Sequence, residues 1–310
     1  MRRRSKSLQF ILRELYRQHR SNKKWNTASL YRSVMMKVNL FSKGKEIPIR
    51  AISASWLKSF ESYLRSSGNS WNTISTYMRI INAAYNEAVM TNNAPFRPLL
   101  FNKVYTGVVA DRQNALDVQD MERLVQVCFA EQPILKPRLH RTLQYFVLMF
   151  LLRGMPFVDM AYLKKKELKD NIISYRRMKT GRPLAVEVEK PALMLLHSLA
   201  CHNESSPYLF PFLHYSDGSE KAHKEYKTAL RNFNNHLEAI GKELGIKQKI
   251  TTYTARHTWV TIAFNCNISS AVISQSVGHS SIKVTEIYLK PFQQAVINDA
   301  NRQVIQQVMH

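Results

Sequence analysis

The sequence predicts a mainly α-helical chain with a small β-sheet, divided into two domains. Three observations carry this. Apolar residues recur every three or four positions along most of the chain, the period of a helix with one buried face. Alternation at period two is confined to the stretch between Ile172 and Val188. From Asn102 to Asn114 periodicity lapses around Gly107, so this segment reads as a linker between a first domain over residues 1–105 and a second over 106–310.

In the first domain, a helix from about Ala28 to Leu40 presents Leu30, Tyr31, Val34 and Val38. Ser53 is placed to cap a helix whose apolar face is Trp56, Leu57, Phe60, Tyr63 and Leu64, and Ser66 to Asn69 break it. Thr73 is expected to cap the next, which carries Ile74, Tyr77, Met78, Ile81, Tyr85 and Val89. The second domain opens with a helix near Val118 to Ala130, then a strongly apolar one from Arg141 to Leu152. A hairpin follows, with strands Ile172–Arg176 and Leu184–Val188 around a turn at Lys179, Thr180 and Gly181. The remainder reads as helices, without an internal repeat or a low-complexity tract.

Hydrophobic residues make up 45% of the chain, enough for a buried core and unlike a disordered protein. Lys and Arg outnumber Asp and Glu by 45 to 22, a formal charge of +23. So large an excess opposes compaction unless a polyanion is the partner, which puts nucleic acid first and an anionic membrane surface second. The first fifty residues hold only Glu14 and Glu46 as acids. Any single surface Lys is ordinarily just solvated, but an imbalance across a whole segment favours phosphate contact. The longest apolar run, Phe146 to Leu152, is too short to span a bilayer. No apolar stretch follows Arg2–Arg4 as in a secretory signal, so a cytoplasmic protein is expected. Cys128, Cys201 and Cys266 are odd in number and read as reduced thiols. His197, Cys201 and His202 lack a second cluster at zinc spacing, so no metal and no cofactor are expected.

Four segments of the second domain stand out. An apolar helix ends in Leu152-Arg153-Gly154, where an Arg meeting the helix dipole is the bland explanation. Lys179 sits in the hairpin turn, where a solvated lysine is ordinary. In Tyr253-Thr254-Ala255-Arg256-His257, Tyr253 and Arg256 are three apart and on a helix share a face. In Val277-Gly278-His279-Ser280-Ser281, Gly278 can end one helix and Ser280 or Ser281 can cap the next, placing Tyr288 about two turns in.

In this order and spacing, the segments resemble the tyrosine recombinase (phage integrase) family. That family carries an Arg after an apolar helix, a Lys in a β-hairpin, a His-x-x-Arg helix, a Gly-His turn and a Tyr nine residues beyond that His, here matched by Arg153, Lys179, Arg256, His279 and Tyr288. The resemblance covers most of Asp111 to Ala300, and Asn72 to Tyr77 resemble part of the family's helical core-binding domain. It implies an N-terminal core-binding domain followed by a catalytic domain. The sequence departs from the motif at one place: Tyr253 stands where the family usually has His, as in relatives from conjugative elements and DNA invertases.

The resemblance further implies an enzyme that cleaves and rejoins double-stranded DNA in integration, excision or inversion. Arg153, Arg256 and His279 would contact the scissile phosphate, Tyr253 would orient phosphate or Arg256, Lys179 would protonate the leaving oxygen, and Tyr288 would be the nucleophile. Two alternatives share the basic composition, a type IB topoisomerase-like relaxing enzyme and a catalytically idle DNA-binding accessory protein. The helical first domain argues against the former and the full set of reactive residues against the latter. After Tyr288, an apolar stripe of Phe292, Val296, Ile297, Ala300, Val304 and Val308 at helical spacing is expected to pack into a neighbouring subunit, giving a homotetramer on paired sites in the nucleoid.

Overall fold

In the computed structural model of the chain, residues 6–107, 114–282, 285 and 294–309 are described. They fall into two compact units, one of the described residues up to 107 together with Gly218–His223, the other of the remainder.

The first unit is helical. Helix α1 spans Leu8–Ser21, capped by Ser7, whose side chain accepts from the Phe10 amide. Helix α2 spans Trp25–Phe41, longer at its start than the periodicity suggested. Helix α3, Ala54–Ser66, is capped by Ser53 as expected. Helix α4, Trp71–Met90, starts earlier than expected: its cap is Ser70, which accepts from the Thr73 amide, so Thr73 lies inside the first turn. The Ser70 hydroxyl reaches an otherwise orphaned N–H, the physical function of a cap. Leu8, Leu12, Val34, Val38, Leu57, Phe60, Leu64, Ile74, Met78 and Ile81 are fully buried and form one core. Phe41 packs edge-on against Trp56 and Phe60 at its side, ring centroids 5.6 and 5.2 Å away. The buried Glu61 carboxylate accepts the Tyr105 amide at 2.7 Å and ties the end of this unit to α3.

The second unit opens with α5, Val118–Phe129, capped by Asp117, whose Oδ1 accepts from the Asp120 amide. Helix α6, Pro137–Leu151, starts before Arg141 because Pro137, with its fixed φ and missing N–H, suits a first helical position. The short α7, Phe157–Tyr162, precedes a three-stranded antiparallel sheet of β1 (Leu168–Lys169), β2 (Ile172–Arg176) and β3 (Pro183–Glu187) in that order. Ile173 pairs with Val186 and Tyr175 with Leu184. Ile173, Tyr175 and Val186 are buried while their neighbours along the strands are not, the alternation expected of a sheet with one covered face.

Helices α8 (Lys190–Leu199), α9 (Glu220–Glu243, which belongs to this unit from Lys224), α10 (Thr254–Asn265), α11 (Ser270–Val277) and α12 (Gln294–Val308) follow. The core joins Leu143, Phe146, Val147, Leu148 and Met149 of α6 to Leu195, Leu196 and Leu199 of α8 and to Phe210, Phe233 and Leu237. A smaller cluster, Val260, Ala263, Ile273 and Val277, binds α10 to α11. Val304 and Val308 on α12 are exposed. Phe292 and the side chains of Val296, Ile297 and Ala300 lie outside the described residues. Among the described residues, no helix is long and apolar enough to cross a membrane.

Candidate active site

The second unit gathers buried charge beside a tight left-handed turn. Helix α6 ends in two successive left-handed residues, Arg153 at φ +57° and Gly154 at φ +66°. The left-handed region costs a non-glycine residue roughly 1–2 kcal/mol, so the fold holds Arg153 there against a local preference. The turn carries Arg153 off its own helix, and Nη1 donates to the Ala185 carbonyl of β3 at 3.3 Å. Gly154 is required on two counts. Besides its φ, a Cβ there would stand 2.7 Å from the Arg256 Cα, so α10 could not approach the end of α6.

That approach seats Arg256, 1% exposed, deep in the unit. Its Nη1 donates to the Gly154 carbonyl at 3.2 Å and its Nη2 to the Val277 carbonyl at 2.5 Å. Val277 is the last residue of α11, so its carbonyl is one of those that helix geometry leaves unpaired at a terminus, and it carries the negative end of the helix dipole. Gly278 follows in the left-handed conformation at φ +67° and ends α11, as expected.

The hairpin is strapped to the same turn. Thr180 Oγ1 donates to the Gly278 carbonyl at 3.4 Å and Arg182 Nη2 to the Ser280 carbonyl at 2.8 Å. Arg177, just beyond β2, is 4% exposed; its Nε pairs with Asp159 Oδ2 at 3.1 Å and its Nη1 donates to the Val277 carbonyl at 3.2 Å. Asp159, on α7, also accepts the Met178 amide at 2.9 Å and so anchors the start of the turn that displays Lys179. Burial raises the Asp159 pKa, against the opposing pull of Arg177, the Met178 N–H and Arg256. Lys179 itself is exposed in the turn.

His279 is buried, with Nδ1 2.8 Å from Thr285 Oγ1. Burial first, then the charges of Arg256, Arg177 and Lys179, push its pKa down to about 3. His257, half-buried, is pushed down to about 4 by burial and Arg256. Both imidazoles are therefore neutral at pH 7. Tyr253 occupies the cap position before α10 and is 39% exposed, its ring edge-on to His257 at 5.0 Å. It is thus placed differently from Arg256, which α10 turns into the interior. Ile282 and Thr285 are helical, whereas Tyr288 lies outside the described residues.

The structure thus brings Arg256 and His279 together around the end of α11, with Lys179 near enough for its charge to bear on His279, and holds the Arg153 side chain against β3. Sequence reading passed over Arg177 and Asp159. A signal for them existed: Arg177 continues the inward alternation of Ile173 and Tyr175, and a charge on an inward position demands a partner. The cluster is rich in guanidinium and imidazole N–H donors, and Asp159, its acidic member, is engaged by Arg177 and the Met178 amide. Such a donor set suits an anion and repels a metal cation.

Residues 114–295 match the model of the phage integrase family, and residues 7–104 match that of the phage integrase SAM-like domain. The chain belongs to the phage integrase family. A relative in this family, the tyrosine recombinase XerA of Pyrococcus furiosus, is 25% identical over 147 residues, covering 46% of this chain and 48% of that protein. The match therefore spans about half the length of that relative. The fold is similar to that of the Tn1549 transposon integrase solved with transposon right end DNA, with a TM-score of 0.69 at 16% identity over 98% of this chain and 100% of that one. It is also similar to the XerH site-specific recombinase bound to its difH substrate, with a TM-score of 0.61 at 16% identity over 89% of this chain and 78% of that one. A lambda integrase dimer bound to a core site gives 0.59 at 12% identity, over 85% and 92%.

Two predictions follow from the geometry of this integrase-family unit. Gly154→Ala should cost more than about 2 kcal/mol in chemical denaturation, because the added carbon meets backbone at a position that also strains any L-residue. A loss below about 0.5 kcal/mol would mean α10 can withdraw cheaply. The depressed histidines set a pH dependence. Their pKa values fall from the ordinary 6.5 to about 3 and about 4, so between those limits the unfolded chain binds protons that the folded chain refuses. Their stabilising contribution is present above about pH 6.5 and is lost as pH falls toward 4. Denaturation midpoints measured from pH 7 to 4.5 should decline, and His257→Asn with His279→Asn should flatten the decline.

Proposed function

We propose that this chain is a site-specific DNA recombinase that cleaves and rejoins double-stranded DNA through a 3′-phosphotyrosine at Tyr288. The observation that carries this reading is the donor cluster itself: buried guanidinium and neutral imidazole groups gathered at one helix end, in a unit that belongs to the phage integrase family. The DNA-bound recombinases with this fold support duplex DNA as the partner, as does the formal charge of +23.

The chemistry assigns each group its work. A phosphodiester repels nucleophiles, and attack increases the charge on its non-bridging oxygens. Arg153 and Arg256 supply paired N–H donors to those oxygens, pre-organised before substrate arrives. His279 is neutral, and in the tautomer in which Nδ1 accepts from the Thr285 hydroxyl the ring proton sits on Nε2, where it can donate to the phosphate. The Tyr288 oxygen attacks phosphorus as its hydroxyl proton passes to solvent, the bond from phosphorus to the 5′ oxygen breaks, and that oxygen takes a proton from Lys179. Tyr253, exposed at the cap before α10, orients phosphate or Arg256. The phosphotyrosine keeps the energy of the broken linkage, so a 5′ hydroxyl can reverse the step and restore the backbone. The helical region to about residue 105 acts as the core-binding domain that grips DNA, and residues 106–310 as the catalytic domain. Exposed Val304 and Val308 on α12 support docking between subunits and a homotetramer on paired sites, acting at the nucleoid.

Tyr288→Phe removes only the attacking oxygen. It should abolish the covalent protein–DNA adduct on a nicked suicide substrate and leave duplex affinity within about twofold. An adduct formed by this variant would end the assignment of Tyr288. Lys179→Ala should slow cleavage of ordinary DNA by about a hundredfold and recover when the 5′ bridging oxygen is replaced by sulfur, a leaving group that needs little protonation. Equal defects on both substrates would remove Lys179 from the proton-donor role.

A further inference from the structure

We propose that Arg177 is a further catalytic residue, its guanidinium joining that of Arg256 on the non-bridging oxygens of the scissile phosphate while Asp159 holds it in place. This rests on the recombinase reading above and adds a residue that the motif Arg153, Lys179, Arg256, His279 does not contain.

Four observations support the proposal. Arg177 is 4% exposed on the covered side of the hairpin, where an apolar residue would fill the space at less cost. Its pairing with Asp159 neutralises part of that cost and leaves the guanidinium directed along the hairpin toward α11. There its Nη1 donates to the Val277 carbonyl, the same oxygen that accepts Arg256 Nη2. Two cationic forks on one oxygen repel each other, and a fold selected for stability alone gains little by bringing them together. An anion bound beside Val277 reverses that balance. Arg177's two contacts use only part of its donor set, so N–H groups remain for phosphate. The fourth observation is Gly278, where a Cβ would meet Arg177 Cγ at 3.1 Å, so the turn that carries His279 is shaped around the Arg177 stem.

A purely structural Arg177 would stitch hairpin to α11 and nothing more. The distinction is electrostatic, and it can be read with a suicide substrate whose scissile phosphate is replaced by a neutral methylphosphonate. Removing the charge removes the need for one guanidinium. Arg177→Ala should lose about 10²- to 10³-fold in cleavage of the phosphate substrate relative to the unsubstituted protein, and the loss should shrink to within about tenfold on methylphosphonate. An equal loss on both substrates would overturn the proposal and leave Arg177 a structural residue. Should Arg177→Ala lack a cooperative unfolding transition, Arg177→Lys carries the test. It retains a cation for Asp159 but not the planar fork. Its smaller defect should contract on methylphosphonate in the same way, and an unchanged ratio would again overturn the proposal. If the unsubstituted protein forms no adduct on ordinary DNA, the recombinase reading fails instead, so the two failures are told apart.

Discussion

Two guanidinium groups share the Val277 carbonyl, and the cost of burying them beside one another organises much of the second unit. A charge taken out of water needs a partner or an oriented dipole. Arg177 has Asp159, and both arginines have the negative end of α11. Bringing them there requires close backbone approaches that only glycine permits. At Gly154 the end of α6 passes against the Arg256 backbone, and at Gly278 the turn after α11 passes over the Arg177 stem. The left-handed Arg153 is a consequence of the same crossing, because α6 must turn sharply before Gly154 to admit α10. The glycines at 154 and 278 therefore trace back to the placement of two cations.

What the sequence revealed and what it hid follow the same division. Local signals were legible where they depend on neighbours in the chain. Ser53 caps α3, Gly278 ends α11, and the hairpin strands start within a residue of where alternation placed them. The cap of α4 was read at Thr73 in place of Ser70 because both are hydroxyl residues before the same apolar face, and only the bond to the Thr73 amide separates them. Helix α1 was not anticipated, since its buried Leu8, Ile11 and Leu12 sit among Arg13, Arg17 and Arg20 and the charge density dominates. Arg177 and Asp159 were hidden for a different reason. They are eighteen positions apart in sequence, and neither is unusual alone. Their meaning comes from a long-range pairing that no local periodicity records.

Tyr253 illustrates how a correct spacing can mislead about environment. It stands three positions before Arg256, which on a regular helix would put both on one face. Because α10 begins at Thr254, Tyr253 stands at the cap with its ring outside, against His257, while Arg256 turns inward to Gly154 and Val277. The two residues thus face different surroundings, one solvent and one the interior.

The electrostatics of His279 complete the argument. A buried imidazole resists protonation, and the cationic side chains of Arg256, Arg177 and Lys179 beside it add to that, so its pKa is held down to about 3. The site thereby holds its positive charge on guanidinium and ammonium groups, which remain charged at neutral pH, and keeps a neutral donor among them. A phosphate entering such a cluster lessens the repulsion between the arginines and makes protonation of His279 less costly, so bound DNA should raise the His279 pKa. Charge on the cluster and charge on a bound anion would then be linked, since an anion that relieves the crowding of Arg177 and Arg256 also eases protonation of His279.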